Sequence, residues 1–210
     1  IRQRHLVTEG ELTSTMAIAA AKKALQNANI DNKDIDLIIV ATTTPDKTFP
    51  ATAVMVQSEL NIGIGPAFDI QAVCAGFIYA LNVGSSLLKT SNFSKALVIG
   101  SESFSKILDW SDRSTSVLFG DGAGAFVLEK SNKNSEWGIL SSNFYSNGNF
   151  SDILHTDGGP SINSQVGKVR MNGREVFKHA VEKLSTSLIE AVNSANLKIQ
   201  DIDFLVPHQA

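Results

Sequence analysis

Apolar residues along the chain gather in short runs separated by polar, helix-like stretches, the alternation expected of an α/β protein. An Ala-rich stretch that Thr13 or Ser14 can cap predicts a helix to about Ala28. The run Leu37 to Ala41 predicts a buried strand. Pro50 suits the first turn of a helix through Leu60, because the N–H it lacks has no partner to lose there. Residues 66–71 predict a short strand, 75–89 a helix, and 95–100 and 124–129 further strands. Residues 137–144 open a second half, in which 174–193 predict a long amphipathic helix.

One pattern occurs twice. ALQNANIDNKDIDLIIVA, starting at Ala24, aligns without gaps with AVNSANLKIQDIDFLVPH, starting at Ala191. Ala28/Ala195, Asn29/Asn196, Asp34/Asp201, Ile35/Ile202 and Asp36/Asp203 are identical. Each copy reads as a helix end, a loop carrying Asp and a buried strand, with Asn29 and Asn196 placed where a helix C-cap favours Asn or Gly. A generic helix-loop-strand unit gives the same pattern, but the matched positions predict a duplicated architecture. A stretch comparable to 41–130 is then expected after His208.

Composition narrows the class. The 210 residues are 43% hydrophobic, enough for a real core. With 18 basic and 21 acidic residues, the formal charge of −3 gives no global attraction to nucleic acid or an anionic membrane. The apolar runs are too short to span a bilayer, and no signal peptide is evident. A single cysteine cannot form an internal disulfide, so a cytoplasmic setting is expected. Ile1 in place of Met, and Ala210 so soon after the apolar run 204–206, predict an internal piece of a longer protein.

The helix after Cys74 is apolar on nearly every side, which predicts burial all round, between two sheets. Gly76, Ala80 and Gly84 recur at four-residue spacing and form a face narrow enough for close backbone approach. Cys74 stands at the start of this helix, where unpaired N–H groups and the positive end of the dipole favour a thiolate. Position alone leaves two readings open, a nucleophile or a small core residue. His208, at the end of the run 204–206, is likewise open between a structural and a catalytic part. The glycines of Gly120-Asp121-Gly122-Ala123-Gly124 resemble a dinucleotide fingerprint, but a strand follows where the fingerprint needs a helix. No Cys/His spacing suits zinc, so no metal or cofactor is expected.

Ala72-Val73-Cys74-Ala75-Gly76-Phe77 resembles the active-site motif of the β-ketoacyl-acyl-carrier-protein synthase III family. Phe119-Gly120-Asp121-Gly122-Ala123-Gly124-Ala125 and Val206-Pro207-His208-Gln209-Ala210 resemble two further signatures, in the same order. The resemblance implies a thiolase-like fold, five αβαβα layers from two duplicated halves, incomplete here. Residues 1–135 would be the half with the nucleophile and 136–210 the start of the second. It implies decarboxylating condensation of acetyl-CoA, or another short acyl-CoA, with malonyl-acyl carrier protein by a homodimer. Cys74 would take the acyl group. His208 would stabilise the negative charge that decarboxylation builds on the thioester oxygen.

Other residues follow from the same resemblance. Arg113 would pack on the adenine of CoA. Leu118, Gly173 and Phe177 would line the pantetheine channel, and Phe49 would reach the partner's acyl pocket. Lys178, Gln209 and Ala210 would dock the carrier protein, with Arg174, Lys168 and Arg170 adding positive charge nearby. The family's catalytic Asn and Gly-rich loop would lie past Ala210. A condensing enzyme with another primer, a degradative thiolase and a non-catalytic binder of acyl thioesters or carrier protein remain alternatives.

Overall fold

The computed structural model describes residues 2–131 and 137–209. They form two compact units, one of residues up to Lys106 with Gly120–Gly138, the other of Ile107–Phe119 with the residues from Ile139 onward. The expected boundary at 135/136 lies outside the described residues.

The first unit is built on a four-stranded sheet. Its strands are β1 (Leu37–Ala41), β2 (Ala67–Ile70), β3 (Lys95–Glu102) and β4 (Gly122–Glu129), in the order β2-β1-β3-β4. β1 runs parallel to β2 and β3, while β4 pairs antiparallel with β3. A parallel central strand is covered on both faces, which explains an unbroken apolar run. Ile38 and Val40 face helices α1 (Thr13–Ala28) and α2 (Thr52–Glu59), together with Ala17, Ala21, Leu25, Ala53 and Val56. Leu37, Ile39 and Ala41 face helix α3 (Gly76–Thr90), with Ala80 and Leu88. Each large apolar side chain in this strand contributes about 1.5–3 kcal/mol on burial.

Capping differs from the sequence reading at α1. The N-cap is Leu12, whose backbone N–H donates to Thr15 Oγ1 at 2.9 Å. Thr13 and Ser14 are buried inside the helix, and the Thr13 hydroxyl bonds to distant chain instead. Pro50 precedes α2, which starts at Thr52. The first turn of α2 is capped from β2, where Asp69 Oδ2 and Oδ1 accept from Thr52 N–H and Ala53 N–H at 2.7 and 2.8 Å.

The small face of α3 lies on the sheet as expected, with Gly76, Ala80, Gly84 and Leu88 buried. A β-carbon at Gly84 would stand 3.2 Å from Val98 Cγ2 and 3.4 Å from Leu128 Cδ1. The expected burial all round does not hold. The far side is only partly covered, and Ile78 is 46% exposed, because a single sheet covers one stripe of a helix.

In the second unit, β5 (Leu154–Thr156) pairs antiparallel with β6 (Val169–Met171), which leads into α6 (Gly173–Ser194). The short helix α4 (Arg113–Ser116) packs on β6, and α5 (Pro160–Asn163) lies between the strands in sequence. The repeat is visible in the backbone. Asn29 and Asn196 both take the left-handed conformation, with φ of 54° and 56°. Ile30 N–H donates to Leu25 O, and Leu197 N–H to Val192 O, each at 3.1 Å. Both copies then make a 3-10 turn, at Asn32–Asp34 and Ile199–Asp201. There the likeness stops. The segment matching β1 forms no strand among the described residues, and Phe204 and Val206 are about nine-tenths exposed. Strand geometry needs a hydrogen-bonded neighbour, and among the described residues this segment has none. Trp137 and the residues after it also form no strand up to Gly148.

Substituting Gly84→Leu should overfill the seam between α3 and the sheet. The expected loss is about 1–3 kcal/mol in urea denaturation, with the slope unchanged. An unshifted midpoint would mean that the seam has room.

Candidate active site

β1, β2 and β3 all run toward one end of the sheet, and their carboxyl ends gather the polar chemistry of the first unit. Cys74 lies here, in a 3-10 turn (Val73–Ala75) between β2 and α3. Val73 holds a φ of 47°, a conformation that a β-branched side chain resists. Strain of this kind costs on the order of 1–3 kcal/mol and marks turns that the surrounding structure over-determines. Here the turn delivers Cys74, which is free and exposed, at the entrance to α3. Close packing fixes the position of the helix. A β-carbon at Gly76 would meet Ala41 Cβ at 3.3 Å, and one at Gly100 would meet Phe77 Cδ2 at 3.3 Å.

The thiol departs from the sequence reading. Local burial pushes the Cys74 thiol up, its own backbone N–H opposes this, and the nearby Glu102 charge pushes it up further. Desolvation and a like charge thus both oppose the thiolate that a helix start would favour.

Glu102, unforeseen in the sequence, ends β3. Its Oε1 accepts from Thr43 N–H at 2.8 Å, and its Oε2 from Thr44 Oγ1 at 2.6 Å. Burial pushes its carboxyl up, while the Thr44 hydroxyl and the Thr43 N–H pull it back in part. Ser103 N–H donates to Thr44 Oγ1 at 2.8 Å, and Thr13 Oγ1 donates to Thr44 O at 2.6 Å. Ser101 Oγ closes the cluster by donating to Thr13 O at 2.8 Å. Asp121 ties in the chain start. Its Oδ2 accepts from Val7 N–H at 2.7 Å, and its Oδ1 from Ser105 N–H at 2.8 Å. The glycines after Asp121 enter β4, so a strand does follow them. The strand alternation could have revealed Glu102, because counting by twos from Ala96 through Val98 and Gly100 puts it on the α3 face.

The remaining candidates are at the surface. Phe49 is 82% exposed on the loop before α2. In the second unit, Arg113 opens α4 and is exposed, Leu118 follows α4, and Gly173 opens α6. Phe177 and Lys178 are exposed one turn further along α6. Packing of α4 on β6 brings the segment with Arg113 and Leu118 to the strand that leads into Gly173. Arg170 is paired, its Nη1 with Asp109 at 2.7 Å and its Nη2 with Asp157 at 2.6 Å. The Ser111 hydroxyl and Arg170 hold the Asp109 carboxyl down at about 2. His208 and Gln209 are exposed in irregular chain, so His208 does not project from a strand end, and Ala210 lies outside the described residues. His179 is partly buried on α6, its ring 4.1 Å from that of Phe150.

Among the described residues, no group of three or more His, Cys, Asp or Glu could hold a metal ion. Among them, no helix is long and apolar enough to cross a membrane.

Comparisons with known proteins return one group repeatedly. A sequence profile described as 3-oxoacyl-[acyl-carrier-protein (ACP)] synthase III matches residues 68–148. A β-ketoacyl-[acyl-carrier-protein] synthase III of Wolbachia pipientis wMel is 59% identical over all of this chain, which spans 65% of that protein. One from Ehrlichia canis is 54% identical, with this chain spanning 66% of it. The chain thus falls just short of two thirds of the length of these relatives. A crystal structure of a 3-oxoacyl-(acyl carrier protein) synthase III from Pseudomonas aeruginosa PAO1 superposes with a TM-score of 0.91 at 36% identity, over 100% of this chain and 64% of that one. One from Aquifex aeolicus VF5 gives 0.88 at 42% identity, over 96% and 62%.

The alkylation rate of Cys74 by iodoacetamide should rise with pH to a midpoint above that of N-acetylcysteine, because burial and Glu102 both disfavour the thiolate. A midpoint below that of the free thiol would contradict this electrostatic reading.

Proposed function

We propose a function from one premise: the chain belongs to the β-ketoacyl-[acyl-carrier-protein] synthase III family. Its fold is the α/β, thiolase-like fold of that family. The protein condenses acetyl-CoA, or another short acyl-CoA, with malonyl-acyl carrier protein. CoA and carbon dioxide leave, and acetoacetyl-acyl carrier protein begins type II fatty acid synthesis. The observation that carries this reading is the strained turn that presents Cys74 at the sheet's carboxyl end, within a stretch matching the family profile.

The Cys74 sulfur attacks the acyl-CoA carbonyl, its proton is lost, and CoA departs as the thiol. Malonyl thioester then loses carbon dioxide, and the carbanion attacks the acyl-Cys74 carbonyl, which frees the sulfur. His208 donates a hydrogen bond to the malonyl thioester oxygen while negative charge builds there. Arg113 stacks on adenine, and Leu118, Gly173 and Phe177 line the pantetheine channel. Phe49 enters the partner's acyl pocket in a cytoplasmic homodimer. Lys178, Gln209 and Ala210 receive the acidic carrier protein. Residues 1–135 and 136–210 belong to successive duplicated halves. Neither nucleic acid nor a membrane takes part, and the thioesters are substrates, with no cofactor needed.

Intact-mass measurement of the full-length protein after exposure to acetyl-CoA should show one acetyl group, mapping to Cys74 and absent from Cys74→Ala. A folded protein that takes no acetyl group would sink the acetyl-CoA assignment. Labelling by a longer acyl-CoA alone would indicate a different primer.

His208→Ala should still acquire the acetyl group but lose condensation with malonyl-acyl carrier protein by about 10²–10³-fold. Loss of acetylation in this variant would place His208 in the first half-reaction instead.

A further inference from the structure

Side chains alternate along β3, so Ala96, Val98, Gly100 and Glu102 share the face that meets α3. Ala96 and Val98 pack in the α3 core, and Gly100 lies under Phe77. Glu102 is one step further toward the carboxyl end, and Cys74 is about one helical turn before Phe77, displaced in the same direction. The carboxylate and the sulfur thus belong to the same face and the same end of the sheet, and the Glu102 charge acts on the thiol. Its two oxygens hold consecutive residues, Thr43 and Thr44, in the turn that leaves β1.

Other acidic groups on the surrounding elements are engaged elsewhere. Asp69 alternates onto the opposite face of β2 and caps α2. Asp46, on the loop after β1, accepts from Ser14 N–H at 3.1 Å. Asp121, where β4 begins, binds Val7 and Ser105. Tyr79 is the titratable side chain of α3 nearest Cys74 in sequence.

We propose that Glu102 is a positioning residue of the Cys74 site, pinning the Thr43–Thr44 turn with both oxygens and placing a fixed negative charge beside the sulfur. This deepens the reading of Cys74 as the acyl acceptor and rests on it. The charge adds to local burial in disfavouring the thiolate, which slows the thiol toward adventitious electrophiles. The two hydrogen bonds tie the turn after β1 to the end of β3, the pair of strands on which α3 packs. Charge and reach are separable. Glu102→Gln keeps the length and loses the charge, whereas Glu102→Asp keeps the charge and loses the reach to Thr43 and Thr44.

The test follows Cys74 in the full-length wild type and both variants, by iodoacetamide alkylation against pH and by acetyl transfer from acetyl-CoA. Glu102→Gln is expected to move the alkylation midpoint to lower pH. Glu102→Asp is expected to leave it near the wild-type position, while the maximal rate of acetyl transfer falls about tenfold with KM little changed. An unmoved midpoint in Glu102→Gln, or a wild-type transfer rate in Glu102→Asp, overturns the proposal. If Glu102→Gln does not fold, the midpoint and rate of Glu102→Asp decide alone, and a midpoint shifted to lower pH there counts against it. The alkylation arm needs no substrate. A shift in Glu102→Gln together with no acetylation of the wild type would refute the acetyl-CoA assignment and leave the link between Glu102 and Cys74 in place.

Discussion

The burial of β1 on both faces is the constraint on which the first unit depends. Leu37, Ile38, Ile39 and Val40 are each at most 1% exposed, so this strand has no face left for water. Helices must therefore cover the sheet from either side, α1 and α2 on one and α3 on the other. Parallel pairing with β2 and β3 then sends three strand ends the same way. Backbone groups at those ends have no further ladder to join and must bond with side chains or turns. The thiol, the carboxylate and the threonines meet there as a consequence.

That end of the sheet is polar but largely dry. Thr13, Thr44, Ser101 and Ser103 are buried, and each is hydrogen-bonded. An unpaired buried hydroxyl costs about 1–3 kcal/mol, so such a cluster is stable only when nearly complete. It joins the start of α1 to the ends of β1 and β3. Local crowding and the Glu102 charge raise the thiol of the still exposed Cys74, so packing that positions a nucleophile also restrains it.

Local signals in the sequence were read correctly where the physics was local. Asn29 and Asn196 tolerate the left-handed conformation at helix ends, and both adopt it. The small-residue spacing of Gly76, Ala80 and Gly84 identified the face of α3 that meets the sheet. Positions that a distant partner decides are not legible in the sequence. Thr13 was a plausible cap until Thr44 claimed its hydroxyl. The run 204–206 has the composition of a strand but no neighbour to pair with among the described residues. Cys74 was expected as a thiolate because a helix end is visible in sequence, whereas the desolvation that opposes it is not.

The sequence by itself determined the alternation of helices and strands, the repeat, the cysteine at a strand-to-helix turn and the family resemblance, because each is carried by the residue types within short contiguous runs. Tertiary structure alone decided that Glu102 binds Thr43 and Thr44, that Asp69 caps α2 and that Arg170 is held by Asp109 and Asp157. These contacts depend on strand order and on which face each side chain takes. Both are set only when the sheet closes over its core.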